Sequence, residues 1–249
     1  MSAFRPYFDD NNTQVLISAD SEHLWPQTRK KSLFVRDCYV DLWNIVQQRY
    51  GIGDEADEVA PDEGKPEGTA IKGTPGVGKS CFLDYCLHQL LTLRKTVCYF
   101  HGKTGFARIF KPNGTVEKHR IADIEASSLS RQADYLLIDP PENGDPNFLG
   151  GEHGLAGKTF ILAVSPDRNN CQAIKKGASM SNLYMGPCSL EEALRMRLKC
   201  YQGVSKARVN LRFEEFGGIP RFLFEKERIE NGVDIYLKET ESSQVTALK

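Results

Sequence analysis

Residues 73–80 read GTPGVGKS, and this stretch decides how the surrounding sequence folds. Its glycines let the backbone curl so that several N–H groups point inward at one anion. A helical pattern follows, which brings the partial positive charge of a helix N-terminus to the same place. Gly73, Gly78, Lys79 and Ser80 complete the spacing Gly-x-x-x-x-Gly-Lys-Ser. The spacing predicts a phosphate-binding loop (P-loop) for a nucleoside triphosphate.

The polar residues of this loop have separate predicted roles. Lys79 is expected to reach the β- and γ-phosphates, and Ser80 to ligate Mg²⁺. Guanine specificity is not expected, because no Asn-Lys-x-Asp stretch occurs in the chain. We therefore predict ATP and Mg²⁺ as cofactors. The predicted nucleotide-binding residues of the loop are Gly73, Thr74, Pro75, Gly76, Val77, Gly78, Lys79, Ser80 and Cys81.

A second acid that organises Mg²⁺ is expected at the end of another buried strand. Asp139 is the candidate, because it follows an apolar run in YLLIDPP (135–141). The alternative is a plain strand-end turn, which Asp-Pro-Pro also suits. Hydrolysing P-loop enzymes usually have a Glu next, to polarise the attacking water, but here the residue is Pro140. Glu142 is the nearest substitute and is a predicted catalytic residue; without one, another group must orient the water or turnover is slow.

Candidate γ-phosphate sensors lie further along the chain. Ser165 ends the next strand and is predicted to contact the nucleotide, with Arg168 just beyond it. Arg221 follows Gly217-Gly218-Ile219-Pro220 and is a predicted catalytic residue. Its charge would neutralise developing charge and couple nucleotide state to the position of a helical lid. The alternatives are a strand-end turn for the serine and solvated surfaces for the two arginines.

Strand and helix patterns alternate along the rest of the chain. Helices are predicted at 79–93 and, after a Ser189-x-x-Glu192 capping box, at about 190–202, with short helices from about 207. This alternation predicts an α/β fold: a three-layer α/β/α P-loop NTPase with a mostly parallel sheet and a small C-terminal helical lid. The predicted strands are 69–73, 96–102, 134–141, 159–166 and 182–187, with a hairpin over 107–120 that turns at Asn113-Gly114 in type I′ geometry.

Three parts are predicted: residues 1–68 before the core, the P-loop NTPase core at 69–188, and the helical lid at 189–249. Residues 1–33 show few periodic features and are expected to form an irregular arm. FVRDCYVDLWNIVQQRY (34–50) has apolar residues at helical spacing. The following residues, 51–68, hold seven acidic residues and one lysine, which predicts a flexible acidic loop.

Composition sets limits on location and partners. The chain has 249 residues and a formal net charge of −1, which does not identify a partner. Seven cysteines without a CxxC pair predict reduced thiols in an intracellular setting, and the five histidines show no metal spacing. The first 14 residues hold no signal-peptide core, and no apolar run approaches about 18 residues, so no membrane partner is expected.

Six segments together resemble a known family. Over roughly residues 34–225 the chain resembles the P-loop domain shared by Crinkler effectors of oomycetes and fungi and by retrotransposon hot spot proteins of trypanosomes. The P-loop block and the GGIPR element are the most specific parts. The segments are FVRDCYVDLWNIV (34–46), IKGTPGVGKSCFLDYCLHQLL (71–91), YLLIDPP (135–141), FILAVSPDR (160–168), LYMGPCSLEEA (183–193) and FEEFGGIPRFLF (213–224).

This resemblance implies an ATPase related to the AAA and STAND groups. It implies that Lys79, Ser80 and Asp139 serve nucleotide and metal, and that Arg221 is a sensor arginine. It also implies an effector-type role in a nucleus, sometimes that of a host cell, with a nuclear protein or nucleic acid as partner. Within these 249 residues we expect neither the family's N-terminal translocation header nor its nuclease domain, and hence no DNA cleavage.

Three functions remain open at this point. The first is a Mg²⁺-dependent ATPase that switches its lid, either alone or with an arginine supplied through self-association. The second is a nucleotide-gated interaction module with little or no hydrolysis, which Pro140 favours. The third is a small-molecule or nucleotide kinase, for which no acceptor pocket signature is seen.

Overall fold

The computed structural model describes most of the chain and divides into two compact units. The first unit comprises Met1–Gly73 and Lys79–Met185, and the second comprises Thr74–Gly78 and Gly186–Lys249. The P-loop residues from Thr74 to Gly78 therefore group with the C-terminal helices. The structure describes residues 6–9, 12–18, 25–26, 31–53, 67–123, 126–141, 155, 157–164 and 179–225.

The first unit is built on a seven-stranded sheet in the order β10-β4-β9-β8-β5-β6-β7. The first five strands in this order are mutually parallel, and β6 and β7 extend the sheet as an antiparallel hairpin. The predicted α/β fold with a mostly parallel sheet is confirmed. The strands are β4 (Gly68–Lys72), β5 (Val97–His101), β6 (Phe106–Phe110), β7 (Val116–Arg120), β8 (Tyr135–Asp139), β9 (Thr159–Val164) and β10 (Met180–Tyr184).

Continuous burial explains why the central strands are apolar throughout. Every residue of β5 is buried, as are all but the first residue of β8 and of β9. Parallel strands covered on both faces have no polar side, so their sequences read as unbroken apolar runs. The resulting core includes Ala70, Cys98, Phe100, Ala107, Ile109, Leu136, Ile138, Phe160, Leu162 and Val164.

Three α-helices of the first unit lie within the described residues: α1 (Asp37–Tyr50), α2 (Lys79–Thr92) and α3 (Ala126–Arg131). The P-loop leads directly into α2, which packs on β5, β8 and β9. An edge-to-face contact between Tyr39 and Phe82, with ring centroids 5.4 Å apart, joins α1 to α2. Such aromatic pairs bury large apolar surfaces. The start of α2 is therefore fixed relative to the sheet.

The N-terminal region differs from the prediction. Part of the expected irregular arm forms a three-stranded antiparallel sheet of β1 (Pro6–Asp9), β2 (Asn12–Ser18) and β3 (Ser32–Phe34). The prediction of an arm without regular structure was wrong, because strands this short carry little periodic signal of their own and depend on pairing with each other. Most of the predicted acidic loop, residues 54–66, lies outside the described residues.

The β6–β7 hairpin is confirmed, but its turn is not of type I′. The turn closes with Gly114 N–H donating to Lys111 O at 2.9 Å, so Pro112 and Asn113 are its central residues. Among the described non-glycine residues only Arg94 has a positive φ, which excludes the type I′ angles for Asn113. The fixed φ of proline suits the first central position of a type I turn, and this preference moved the turn back by one residue.

The second unit contains α4 (Leu190–Cys200), α5 (Lys206–Phe216) and α6 (Pro220–Phe224). As predicted, Ser189 caps α4 by accepting a hydrogen bond from Glu192 N–H at 3.0 Å. The Nη1 of Arg212 in α5 donates to the Leu223 carbonyl in the last turn of α6 at 2.8 Å. The rings of Tyr201 and Phe224 stack with centroids 4.3 Å apart. These contacts hold the three helices together as one small cluster.

Candidate functional site

The P-loop has the curled backbone that its glycines predict. Gly76 and Gly78 have φ angles of 83° and 110°, a region that residues with a Cβ atom rarely adopt. Val77 N–H donates to Thr74 O at 3.2 Å, which closes a turn inside the loop. The loop joins β4 to α2, so it begins at the carboxyl end of a parallel strand and ends at a helix N-terminus. This is the arrangement that favours an anion such as phosphate.

Lys79 folds back over the start of the loop. Its Nζ donates to the Gly73 carbonyl at 2.6 Å, and the residue is only 7% exposed. A lysine ammonium is a compact charge on a flexible stem with three donors, so it can exchange a carbonyl partner for phosphate oxygens. The structure thus places the motif's positive charge at the loop.

Ser80 and Asp139 meet although 59 positions separate them in the sequence. Ser80 Oγ donates to Asp139 Oδ1 at 2.9 Å, and Asp139 is 4% exposed. Ser80 lies in the first turn of α2, and Asp139 is the last residue of β8. A hydroxyl and a carboxylate are the oxygen donors that Mg²⁺ prefers, so this pair fits the predicted metal chemistry.

His101 lies beside Asp139 and was not among the predicted site residues. It ends β5, the strand next to β8, and its Cα is the register partner of that of Asp139. The signal that could have identified it is the run VCYFH, in which a polar residue ends a buried strand as it does in YLLID. It was missed because its significance depends on which strand neighbours β5.

Burial dominates the electrostatics of His101. Removal from water lowers the pKa of the imidazole, while the carboxylate of Asp139 opposes the shift and favours the charged form. The positive charges of Arg108 and Lys103 act in the same direction as burial. The ring is therefore held towards its neutral form, which has one nitrogen that can accept a hydrogen bond.

The chain segments after His101 and Asp139 pack against each other without space for a side chain. A Cβ atom placed on Gly102 would lie 2.2 Å from the backbone nitrogen of Pro141 and 2.7 Å from the carbonyl carbon of Pro140. Real Cβ atoms do not come this close to non-bonded atoms. Glycine at 102 is therefore required for the two strand ends to approach each other as they do.

Within the second unit, Arg221 packs on the P-loop residue Gly76. Arg221 N–H donates to Gly76 O at 3.3 Å, and a Cβ on Gly76 would lie 2.7 Å from the Cβ of Arg221. Gly218 similarly meets Cys188, whose N–H donates to Gly218 O at 2.7 Å. The GGIPR element therefore holds the start of α6 against the middle of the P-loop.

The other predicted site residues are located as follows. Pro75 follows Thr74 at the turn of the loop, and Cys81 lies half-buried in α2. Glu142, Ser165 and Arg168 lie outside the described residues. Across the described ranges, His, Cys, Asp and Glu form no cluster of three or more of the kind that holds a metal ion by protein ligands alone. The helices in those ranges fall short of the length and hydropathy of a membrane span.

Comparisons with known proteins give distant relatives. No protein-family model matches the chain. Crinkler effector protein 15 and Crinkler effector protein 16 of Phytophthora infestans are each 26% identical to it over 211 residues, a region covering 81% of this chain. The chain spans 30% of the length of these curated relatives. They agree with the Crinkler part of the resemblance, whereas the retrotransposon hot spot part rests on the sequence motifs.

Solved structures also show likenesses to this chain. AMPPCP-bound DnaA from Aquifex aeolicus aligns with a TM-score of 0.43 and 13% identity, over 84% of this chain and 68% of that one. A DNA replication initiation factor gives a TM-score of 0.44 and 12% identity, over 92% of this chain and 68% of its own. Likenesses at this level say nothing about what this chain binds.

Proposed function

We propose that the chain binds Mg·ATP at residues 73–80 and hydrolyses it. The observation that carries this proposal is the 2.9 Å hydrogen bond from Ser80 to Asp139. Two separate sequence signals, the end of the P-loop motif and the acid after a buried strand, meet at one point beside the helix N-terminus. Chance placement of a glycine turn and a strand-end acid would not bring these two side chains together.

The chain's own residues would divide the work of binding. Ser80 Oγ and the Asp139 carboxylate would hold Mg²⁺, which when bound neutralises charge on the phosphates. The P-loop N–H groups would hold the phosphate oxygens, and Lys79 would leave the Gly73 carbonyl to neutralise the β- and γ-phosphates. The buried surroundings of Lys79 and Asp139 strengthen these interactions compared with water.

The proposal extends to regulation by the helical lid. Because α6 packs on Gly76, a change in the loop on nucleotide binding would be transmitted directly to the GGIPR element. Arg221 would serve as the sensor of the γ-phosphate. By its likeness to two proteins named as Crinkler effectors, the chain would act in an effector. The family resemblance of its sequence motifs extends this proposal to an ATPase module that regulates an effector or a nucleic-acid-directed activity, with a nuclear site of action.

Phosphate release from Mg·ATP tests the proposal, with nucleotide binding measured in parallel. Lys79→Ala and Asp139→Asn should each lower release by about a hundredfold or more, because each removes charge from the phosphate and metal region. Matched controls are Lys95→Ala and Asp134→Asn, which make the same substitutions elsewhere in the chain. Asp134 precedes the first residue of β8, at the end of the strand opposite to Asp139. Release that survives both site variants would sink the ATPase proposal.

A second function is favoured by Pro140, which has no side-chain group to polarise water. In that case the chain would be an interaction module that is gated by nucleotide and hydrolyses little. Under this alternative, the unmutated chain binds Mg·ATP and Lys79→Ala abolishes the binding. Phosphate release from the unmutated chain is then no higher than from Lys79→Ala or Asp139→Asn. Phosphate release per chain, measured at increasing protein concentrations, would then reveal whether self-association restores hydrolysis.

A further inference from the structure

His101 and Asp139 end neighbouring parallel strands, so they lie at the same edge of the sheet. Their Cα atoms are register partners in the β5–β8 pair. Side chains of register partners project to the same face of a sheet. The imidazole is thus beside the carboxylate that contacts Ser80, on the strand next to β8 and farther from β4.

One imidazole nitrogen of His101 is buried without a hydrogen bond. The residue is 5% exposed, and within the described part of the chain Nδ1 has no hydrogen-bond partner. Nearly all buried polar atoms in folded proteins have a partner, because an unpaired one loses its bonds to water without replacement. Several described residues have such an atom, and His101 is the one among them that ends a strand in register with Asp139. An unpaired acceptor at this position is available to a partner that arrives with the substrate.

Neighbouring residues hold the backbone of the strand end that carries His101. Thr104 Oγ1 donates to the His101 carbonyl at 3.2 Å, and Gly102 lies against Pro140 and Pro141. The Tyr99 ring lies on the same strand with its centroid 6.5 Å from that of the imidazole. The imidazole therefore projects from a backbone whose position is set before any ligand binds, which favours a role as an orienting group.

We propose that His101 orients the water that attacks the γ-phosphate, by accepting a hydrogen bond from it through Nδ1. The inference rests on the proposed ATPase function and supplies the water-orienting group that Pro140 cannot provide. His101 is then a catalytic residue, because it touches the attacking water. The site would need no carboxylate immediately after Asp139.

The reaction balances without a change in the histidine. The water oxygen forms a bond to the γ-phosphorus, and the bond from that phosphorus to the β,γ-bridging oxygen breaks. The electron pair of the broken bond stays on ADP. One proton of the water leaves on inorganic phosphate and the other is released to solvent, so that ATP⁴⁻ and H₂O yield ADP³⁻, HPO₄²⁻ and H⁺.

A matched pair of variants isolates the hydrogen bond from the packing. His101→Asn keeps a polar atom near the position of Nδ1, whereas His101→Leu has almost the same size and no polar atom. Both are compared with the unmutated chain for phosphate release at saturating Mg·ATP and for the Kd of Mg·ATP, and their folding is checked by circular dichroism. His119→Ala, on β7 of the same sheet, is the control histidine.

We expect His101→Leu to lower the rate of release by about a hundredfold while Kd changes less than threefold. His101→Asn should retain at least ten times the rate of His101→Leu, and His119→Ala should match the unmutated chain. Equal rates for the Leu and Asn variants, or a Leu variant as fast as the unmutated chain, would overturn the role of His101 and leave the ATPase proposal standing. Absence of release from the unmutated chain, above Lys79→Ala, would overturn both.

Discussion

Among single residues, Gly102 most directly fixes the geometry of the candidate site. A Cβ at this position would lie 2.2 Å from the backbone nitrogen of Pro141. Backbone atoms cannot move aside as a flexible side chain can, so Gly102→Ala should separate the ends of β5 and β8. We expect a loss of about 1–3 kcal/mol in the free energy of unfolding, measured by urea denaturation, and slower phosphate release.

Gly203→Ala is the matched control, because a Cβ there meets nothing within 4 Å. Its free energy of unfolding should stay within about 0.5 kcal/mol of the unmutated value. A Gly102→Ala protein as stable as this control would show that the two strand ends are not packed as described.

The buried thiol of a single residue, Cys98, should make the free energy of unfolding depend on pH. Burial raises its pKa from an ordinary value of 9.0 to about 12. Between these two values the unfolded chain loses the thiol proton and the folded chain keeps it. The thiol's contribution is therefore complete below pH 9 and is lost as pH rises towards 12, at about 1.4 kcal/mol per pH unit. Urea denaturation at pH 8, 9, 10 and 11 measures the slope.

Tyrosine phenols also titrate in this range, so the slope must be compared with that of Cys98→Ala. The variant should be less stable at pH 8, because a buried side chain is shortened, but its stability should fall less steeply above pH 9. Identical slopes in the two proteins would contradict the assignment to Cys98.

Among the elements, α4 depends on the cap at its N-terminus. Ser189 Oγ accepts a hydrogen bond from Glu192 N–H, one of the helix N–H groups that lack a partner within the helix. Ser189→Ala should lower the free energy of unfolding by about 1 kcal/mol, whereas Ser189→Asp should preserve it. Thermal denaturation followed by far-ultraviolet circular dichroism measures both. An equal loss in the two variants would mean that the side-chain bond does not stabilise α4.

Elements with a strong local signal were predictable from the sequence, and those that depend on distant partners were not. The buried runs of β8 and β9 were predicted with ends within one or two residues of those observed, because their apolar character is continuous. The small N-terminal sheet was missed, since its short strands become strands by pairing with one another. The turn before β7 was misplaced because the Asn113-Gly114 signal competed with Pro112.

The residues of the candidate site likewise include some that a local pattern predicts and one that it does not. Ser80 and Asp139 were each predicted to ligate Mg²⁺ because each belongs to a local pattern with known chemistry, and the structure brings them together. His101 carries no motif. It becomes part of the site only because β5 pairs with β8 in a register that aligns it with Asp139, and pairing between distant strands is not encoded in a local pattern.

At the scale of the whole molecule, the grouping of Thr74–Gly78 with the C-terminal helices predicts a long-range response to nucleotide. Arg221 N–H donates to Gly76 O, so tightening of the loop around phosphate should also reduce local opening at the start of α6. Hydrogen exchange measured with and without Mg·ATP should show slower exchange in two separate segments, 73–80 and 217–224.

Lys79→Ala provides the control for this response, because it should weaken nucleotide binding without touching the contact between Gly76 and Arg221. In that variant both segments should exchange as they do without nucleotide. Slower exchange confined to 73–80 in the unmutated chain, at nucleotide concentrations that saturate binding, would contradict the coupling. Nucleotide binding at the loop would then leave the C-terminal helices unchanged. A ligand shifts an equilibrium only through interactions that differ between the two states, so a lid that switches with nucleotide state would have no physical basis.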